Sequence, residues 1–287
     1  MARSKHWQST LSDNALEVAD LWYWYDEDTP VLCGLDLSVS HGQFVALVGA
    51  NGSGKTTLVK HLNGLLRPKR GAVRVDGQDT ARRSVGELAR RVGFLFQHPE
   101  QQIFGPTVHQ EVAFGPRNIG LSPAEVKASV AAALERFDLV AVANRPPAIL
   151  SYGLRRRVTL ASLAAMDPSI VVLDEPTVGL DAPGLRETFD WLDELRTRRR
   201  TIVLVTHDMG LVAAYADRVV VLRQGQILAD ALPADLFRER DLMASASLAP
   251  PPVAALAQSL RPYGFQGEGL TVEAFCDGYV ALVRARL

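Results

Sequence analysis

Cysteine is almost missing from this chain: Cys33 and Cys276 are the only two in 287 residues. Two thiols build neither a disulfide framework nor a metal-ligand cluster, so the fold must rest on buried apolar surface in a reduced compartment. Long apolar runs are missing as well. None approaches the roughly 18 residues of a membrane span, which does not exclude a membrane protein as a partner. There is also no excess of one charge: 31 Lys and Arg stand against 32 Asp and Glu, a formal net charge of −1. That excludes the basic field that draws a protein to nucleic acid or anionic lipid, and no nucleic-acid partner is expected. Internal repeats and low-complexity tracts are absent. Residues 1–13 are polar and read as loose, and Arg3 and Lys5 precede no apolar stretch, so no signal peptide and a cytoplasmic protein are expected. Hydrophobic residues make up 47%, enough for one large domain or two smaller ones.

One stretch stands out. Gly49-Ala50-Asn51-Gly52-Ser53-Gly54-Lys55-Thr56-Thr57 matches G-x-x-x-x-G-K-[ST] without a gap. The apolar run Phe44–Val48 before it reads as a buried strand, and Leu58–Leu62 after it as the start of a helix, which is the context the motif requires. Gly49, Gly52 and Gly54 let the backbone point its N–H groups at a phosphate chain, and the helix N-terminus adds positive potential behind them. Asn51, Ser53 and Thr57 belong to the same cradle. Lys55 reaches the β- and γ-phosphates, and the Thr56 hydroxyl is a Mg²⁺ ligand. The candidate cofactors are ATP and Mg²⁺.

Taken in order, the chain alternates strand and helix. Val18–Tyr25 and the alternating Val31, Leu35, Leu37, Val39 read as strands of a small β-rich layer, with a turn at Asp26–Pro30. Ala72–Gly77 and Val92–Phe96 read as two more strands. Residues 98–120 are punctuated by Pro and Gly. A helix is expected over 123–140, opened by Ser122-Pro123, and another over Val158–Ala165. Ser169–Leu173 reads as a buried parallel-type strand, followed by a helix over Pro183–Arg196 and the next strand at Thr201–Val205. Val219–Leu222 and Gln226–Leu228 form a hairpin about Gln224-Gly225. Beyond Pro250-Pro251-Pro252, Val253, Leu256 and Leu260 suit a short helix, and Val272, Phe275, Cys276, Tyr279, Leu282 and Val283 an amphipathic one. The expected class is α/β. Its core covers 14–97 and 166–240, with a helical insertion at 98–165 and an extension at 241–287. That extension is either a dimer contact or a segment packed on its own core.

In parallel α/β sheets, ligands bind beyond the carboxyl ends of the strands. Gln97, Asp174, Glu175 and His207 all fall at such ends. Asp174 suits Mg²⁺, Glu175 an attacking water and His207 the γ-phosphate. Tyr25 stands at a strand end, 24 residues before Gly49, and either stacks on a base or packs with Trp22, Tyr23 and Trp24.

These residues, in this order, resemble the nucleotide-binding subunits of ABC transporters over about residues 16–235. Tyr25 is similar to the adenine-stacking aromatic, 49–57 to Walker A, Gln97 to the Q-loop and 170–175 to Walker B with its glutamate. Val178–Asp181 is similar to the D-loop and His207 to the switch histidine. The resemblance implies a P-loop NTPase core with an antiparallel β-subdomain, and counts Gln97 among both the catalytic residues and the Mg²⁺ ligands. Leu150–Arg157 stands at the LSGGQ signature, with Tyr152 for the first glycine and Leu154 for the glutamine. There Ser151 and Gly153 would face the nucleotide of a second cassette, a copy or a paralogue. Tyr152 either crowds that interface or points away. Phe96–Phe104, Thr107–Pro116 and Thr271–Phe275 are similar to the ATPases of energy-coupling factor importers of metals and vitamins. The resemblance implies transmembrane subunits as partners, a place at the cytoplasmic face of the cell membrane, and residues 98–117 as the surface that meets those subunits. Ile103, Phe104, Val108 and Phe114 suit that surface or a local core. Two other readings remain at this point: a soluble ABC ATPase of translation or repair, and a regulatory cassette with little turnover.

Overall fold

Residues 44–48, 170–174 and 201–205 are buried at every position, which fixes them as central strands covered on both faces. In the computed structural model, which describes residues 13–26, 29–97 and 103–284, they are β3 (Phe44–Val48), β7 (Ile170–Asp174) and β8 (Thr201–Val205). With β6 (Val92–Leu95), β9 (Arg218–Arg223) and β10 (Gln226–Ala231) they form one sheet of order β10-β9-β3-β8-β7-β6. All its pairings are parallel except β9 with β10. The readings placed on Arg3, Lys5, Glu27, Asp28 and His98–Gln102 lie outside the described residues.

Successive strand residues point to opposite faces, and the core divides accordingly. Val172, Val203, Val205, Val45 and Leu47 meet one apolar cluster. It is shared with α1 (Lys55–Leu62) and a second sheet of order β2-β1-β4-β5. That sheet consists of β1 (Asn14–Trp24), β2 (Pro30–Ser40), β4 (Arg70–Val75) and β5 (Gln78–Asp79), all antiparallel. A short α2 (Val85–Ala89), closed by a Ser84–Glu87 capping box, follows it. Phe44, Val171, Leu173, Ile202 and Leu204 point the other way, into a cluster with Val112, Val130, Phe137, Leu160 and Trp191. Those residues belong to α3 (Val108–Asn118), α4 (Pro123–Arg136), the following turn, α5 (Tyr152–Met166) and α6 (Ala182–Thr197). The helical segment therefore shares its apolar core with the sheet.

Several boundaries differ from the sequence reading. α3 arises inside the Pro- and Gly-punctuated stretch and carries Pro116 within it. Proline is tolerated there because tertiary burial of Val108, Val112 and Ala113 outweighs local propensity. Glu111, also buried, folds back so that its carboxylate accepts the N–H groups of Phe104 and Gly105 at 3.0 and 2.5 Å. α4 ends at Arg136, and a separate turn follows at Val140–Val142. α5 starts at Tyr152, with Ser151 as its cap, so the three consecutive arginines 155–157 are helical. After β8 come α7 (Met209–Tyr215), then α8 (Pro233–Leu236) and α9 (Arg240–Ser245) beyond β10.

The extension splits its behaviour. α10 (Pro252–Leu260) packs on the body of the chain: Ala254 and Ala257 are buried, and the Gln258 amide donates to the Phe237 carbonyl at 2.6 Å. α11 (Val272–Arg284) buries none of its residues, and Phe275 stacks between Phe265 and Tyr279.

Candidate active site

The carboxyl ends of β3, β6, β7 and β8 open on one edge of the main sheet, and a cleft of about 250 Å³ lies there. Asn51, Gly52, Gly54, Lys55, Thr56, Thr57, Gln97, Asp174 and Glu175 line it, together with Val31 and Val205. The residues come together because the chain leaves β3, β7 and β6 at the same edge of the sheet, with β8 between β3 and β7. The glycine loop turns directly out of β3. At Gly49, φ is +143 and a Cβ would collide with the Leu222 carbonyl of β9, so only glycine lets the loop leave the sheet here. Gly54 caps α1 in the left-handed conformation.

The charged groups interlock. The Lys55 ammonium donates to the carbonyls of Gly49 and Ala50 at 2.8 and 2.9 Å. Burial lowers its pKa, against the opposing pull of Asp174 and Glu175. The Thr56 hydroxyl donates to Asp174 Oδ2 at 3.2 Å. Burial pushes the Asp174 carboxyl up; the Thr56 hydrogen bond opposes that shift and the Glu175 charge adds to it. Glu175 is 8% exposed. Its Oε1 lies 2.7 Å from His207 Nδ1, and its Oε2 accepts the Thr206 hydroxyl at 3.3 Å. The sequence reading gave Glu175 and His207 separate tasks; in the fold they form one hydrogen-bonded pair, reached from two different strands.

Other expected residues lie around the cleft. Tyr25 is exposed, set edge-on against Tyr23, and its hydroxyl shares a hydrogen bond with Thr57 Oγ1 at 3.3 Å. Tyr23, by contrast, is buried against His61, so the aromatic run serves packing and surface in turn. Ser53 does not line the cleft. It borders a second cavity with Arg223, Gln224 and Ser247, although its carbonyl accepts from Gly225 N–H and holds the loop's rear. Ser151 and Gly153 are also apart from the cleft, at the N-terminus of α5, where the Ser151 hydroxyl accepts the Leu154 N–H at 3.3 Å. The Tyr152 ring lies directly over Gly179, which has φ +76 and no room for a Cβ. Tyr152 thus rests on its own chain's 178–181 turn, though 37% of it stays exposed.

Two buried arginines escaped the sequence reading. Arg157 donates to Asp181 Oδ1 at 2.7 Å and Glu187 Oε1 at 3.1 Å, with Asp138 at 3.8 Å, tying α5 to the turn before α6. Its hydrogen bond holds the Asp181 carboxyl below its ordinary range, and Asp181 in turn caps α6 through the Gly184 N–H. Arg156 is fully buried. The available signal was an arginine run inside a helix with apolar residues on all sides, since such helices are buried.

Among the described residues, no three His, Cys, Asp or Glu side chains gather closely enough to hold a metal by themselves. The Thr56 hydroxyl, the Asp174 carboxylate and the Gln97 amide oxygen are nevertheless the hard donors that Mg²⁺ takes, if phosphate oxygens and water complete its shell.

Comparison with known proteins agrees with this geometry. The family model for the ABC transporter matches residues 32–178. Over 261 residues the chain is 41% identical to the energy-coupling factor transporter ATP-binding protein EcfA of Methanothermobacter thermautotrophicus, covering 90% of this chain and 84% of that one. Among solved structures, cbiO1 from Clostridium perfringens, part of the ABC transporter complex cbiONQ, is 33% identical with a TM-score of 0.69, covering 82% of this chain and 94% of that one. The ATP-binding cassette MJ0796, solved as a dimer bound to ADP and Pi, is 26% identical with a TM-score of 0.69, covering 76% and 98%. On a family match across half its length and this identity across most of it, the chain belongs to the ABC transporter family, among its ATP-binding subunits.

Proposed function

We propose that this protein is the ATP-hydrolysing subunit of an energy-coupling factor type importer, acting with a second cassette and with transmembrane subunits at the cytoplasmic face of the membrane. The observation that carries the hydrolytic part is the cleft in which Lys55, Asp174, Glu175 and Gln97 converge. Lys55 binds and neutralises the β- and γ-phosphates. Thr56, Asp174 and Gln97 hold Mg²⁺, which supplies further charge neutralisation when bound. Glu175 orients the attacking water and accepts its proton, and His207, hydrogen-bonded to Glu175, faces the γ-phosphate. Tyr25 stacks on the base. Ser151 and Gly153 stand apart from this cleft at an exposed helix N-terminus, which suits donation to a partner's nucleotide.

The importer part draws on the relatives' names and on one surface. Val108 is core and Ile103 packs against it, but Phe104 and Phe114 are exposed, edge to face at 4.4 Å. Phe114 lines an apolar groove of about 270 Å³ that includes Leu65, Val85, Phe94 and Phe96. A membrane subunit suits it, since exposed apolar grooves mark interaction sites. No helix among the described residues is long and apolar enough to cross a membrane. Affinity purification from detergent-solubilised membranes is expected to recover integral membrane subunits and ATPase activity together. Recovery of the chain alone, with full activity, would sink the importer reading.

The extension completes the proposal. α11 presents Val272, Tyr279, Val280 and Val283 to solvent, and we assign this face to the cassette dimer. Deleting residues 265–287 is expected to shift the species seen by light scattering from dimer to monomer in the presence of ATP. An unchanged mass removes the assignment.

A further inference from the structure

Arg156 is wholly buried and its guanidinium is committed to backbone. An arginine carries five N–H donors in a planar fork and stays charged at any working pH. Here Nη1 donates to the carbonyls of Phe96 and Gln97 at 3.0 and 2.9 Å. Nη2 donates to the carbonyls of Asp174, at 3.2 Å, and Glu175, and Nε to that of Pro176 at 3.5 Å. Five donors meet five carbonyls. They belong to the two segments that leave β6 and β7, and those segments carry Gln97, Asp174 and Glu175. The donor sits on α5, five residues after Ser151.

The backbone at this point needs holding. Glu175 has φ +51, a left-handed conformation in a residue with a Cβ. That conformation costs about 1–2 kcal/mol and persists only where the surroundings over-determine it. The Glu175 N–H donates to the Val205 carbonyl at 2.9 Å, which fixes one side of the turn. Arg156 takes the carbonyls of Asp174, Glu175 and Pro176 on the other. A role limited to satisfying carbonyls would need only neutral donors, without the cost of burying a charge. A rigid five-donor fork does something a neutral amide cannot: it locks three consecutive carbonyls and a second segment to one helix.

We infer that Arg156 is a positioning residue for hydrolysis. Its fork holds the left-handed turn at Glu175 and the exit of the chain at Gln97 to the helix headed by Ser151. The residues offered to this chain's own nucleotide and those offered to a partner's nucleotide therefore move as one body. This deepens the ATPase reading and rests on it.

A double-mutant cycle on the full chain tests it, with wild type, Arg156→Gln, Glu175→Gln and the double variant compared in ATP hydrolysis and melting temperature. Arg156→Gln is expected to lower kcat about 30-fold with KM within about threefold, and to lower it less than about fivefold further in the Glu175→Gln background, because groups acting as a unit are non-additive. A purely structural loss would appear equally in both backgrounds. Equal fold losses, or a kcat within about threefold of wild type beside a lowered melting temperature, overturn the inference. If Arg156→Gln does not fold, Arg156→Lys, with the charge kept and fewer donors, takes its place under the same criteria. Absence of hydrolysis by the wild-type chain and its complexes would instead overturn the ATPase reading.

Discussion

Glu175→Gln is expected to leave ATP affinity within about threefold of wild type and to lower kcat about 100-fold, equivalent to ~2.7 kcal/mol of barrier. The substitution is nearly isosteric, so Lys55, Thr56 and the glycine loop keep their places and binding is preserved. The loss is chemical. Glu175 holds one carboxylate oxygen on His207 Nδ1 and the other on the Thr206 hydroxyl. These partners aim the group and leave remaining lone pairs for a water proton, which an amide accepts poorly. An amide also presents N–H₂ toward one of two sites that now supply a hydrogen. A general base near the reacting water contributes about 10²–10⁴-fold, so the expected loss lies at the lower end of that range. The measurement is steady-state hydrolysis beside equilibrium nucleotide binding. Hydrolysis within about threefold of wild type would remove Glu175 from the base role.

The site was legible where chemistry is local in the chain. The P-loop needs a strand, a glycine turn and a helix in immediate succession, and all three are neighbours in sequence. Asp174 and Glu175 follow an apolar run, and His207 ends the next one, so the strand-end rule brought them to one edge. The Glu175–His207 hydrogen bond was not legible, because two strand ends meeting says nothing of which side chains touch. Nor were the places of Arg156 and Arg157. Arginine is usually exposed, and only the packing of α5 against β6, β7 and α6 turns these two inward. The expected helix over Val158–Ala165 starts six residues after α5 does, because the signature stretch points to chemistry and masks Ser151 as a helix cap. Tyr152 was open between two readings, and the turn at Gly179 decides where its ring rests. Apart from the α5 cap, which is local, the missing information is a contact between segments distant in sequence.

Lys55→Met should separate stability from function in opposite directions. The Lys55 pKa is lowered, first by burial, with Asp174 and Glu175 only partly offsetting it. A lysine whose folded-state pKa lies below its unfolded value binds its proton less well when folded. Its contribution to stability is present above the unfolded pKa, near 10.5, and is lost as pH falls through the folded one. At neutral pH the ammonium is therefore held at a cost to the nucleotide-free fold, a cost moderated by solvent because the side chain is only half-buried. Methionine keeps the stem and removes the charge. The melting temperature without nucleotide is expected to stay equal or rise, and the difference from wild type to shrink as pH is raised toward 10.5. With ATP the order reverses. A ligand at 100 times its Kd stabilises the folded state by about 2.7 kcal/mol, and this gain should vanish in Lys55→Met, whose loop has dipoles but no ammonium to meet the phosphates. Thermal melts of both proteins with and without ATP read both effects at once. An ATP-induced rise of the same size in the variant would show that Lys55 does not carry phosphate binding, and a large fall in its nucleotide-free melting temperature would show that the two carbonyl hydrogen bonds outweigh the buried charge.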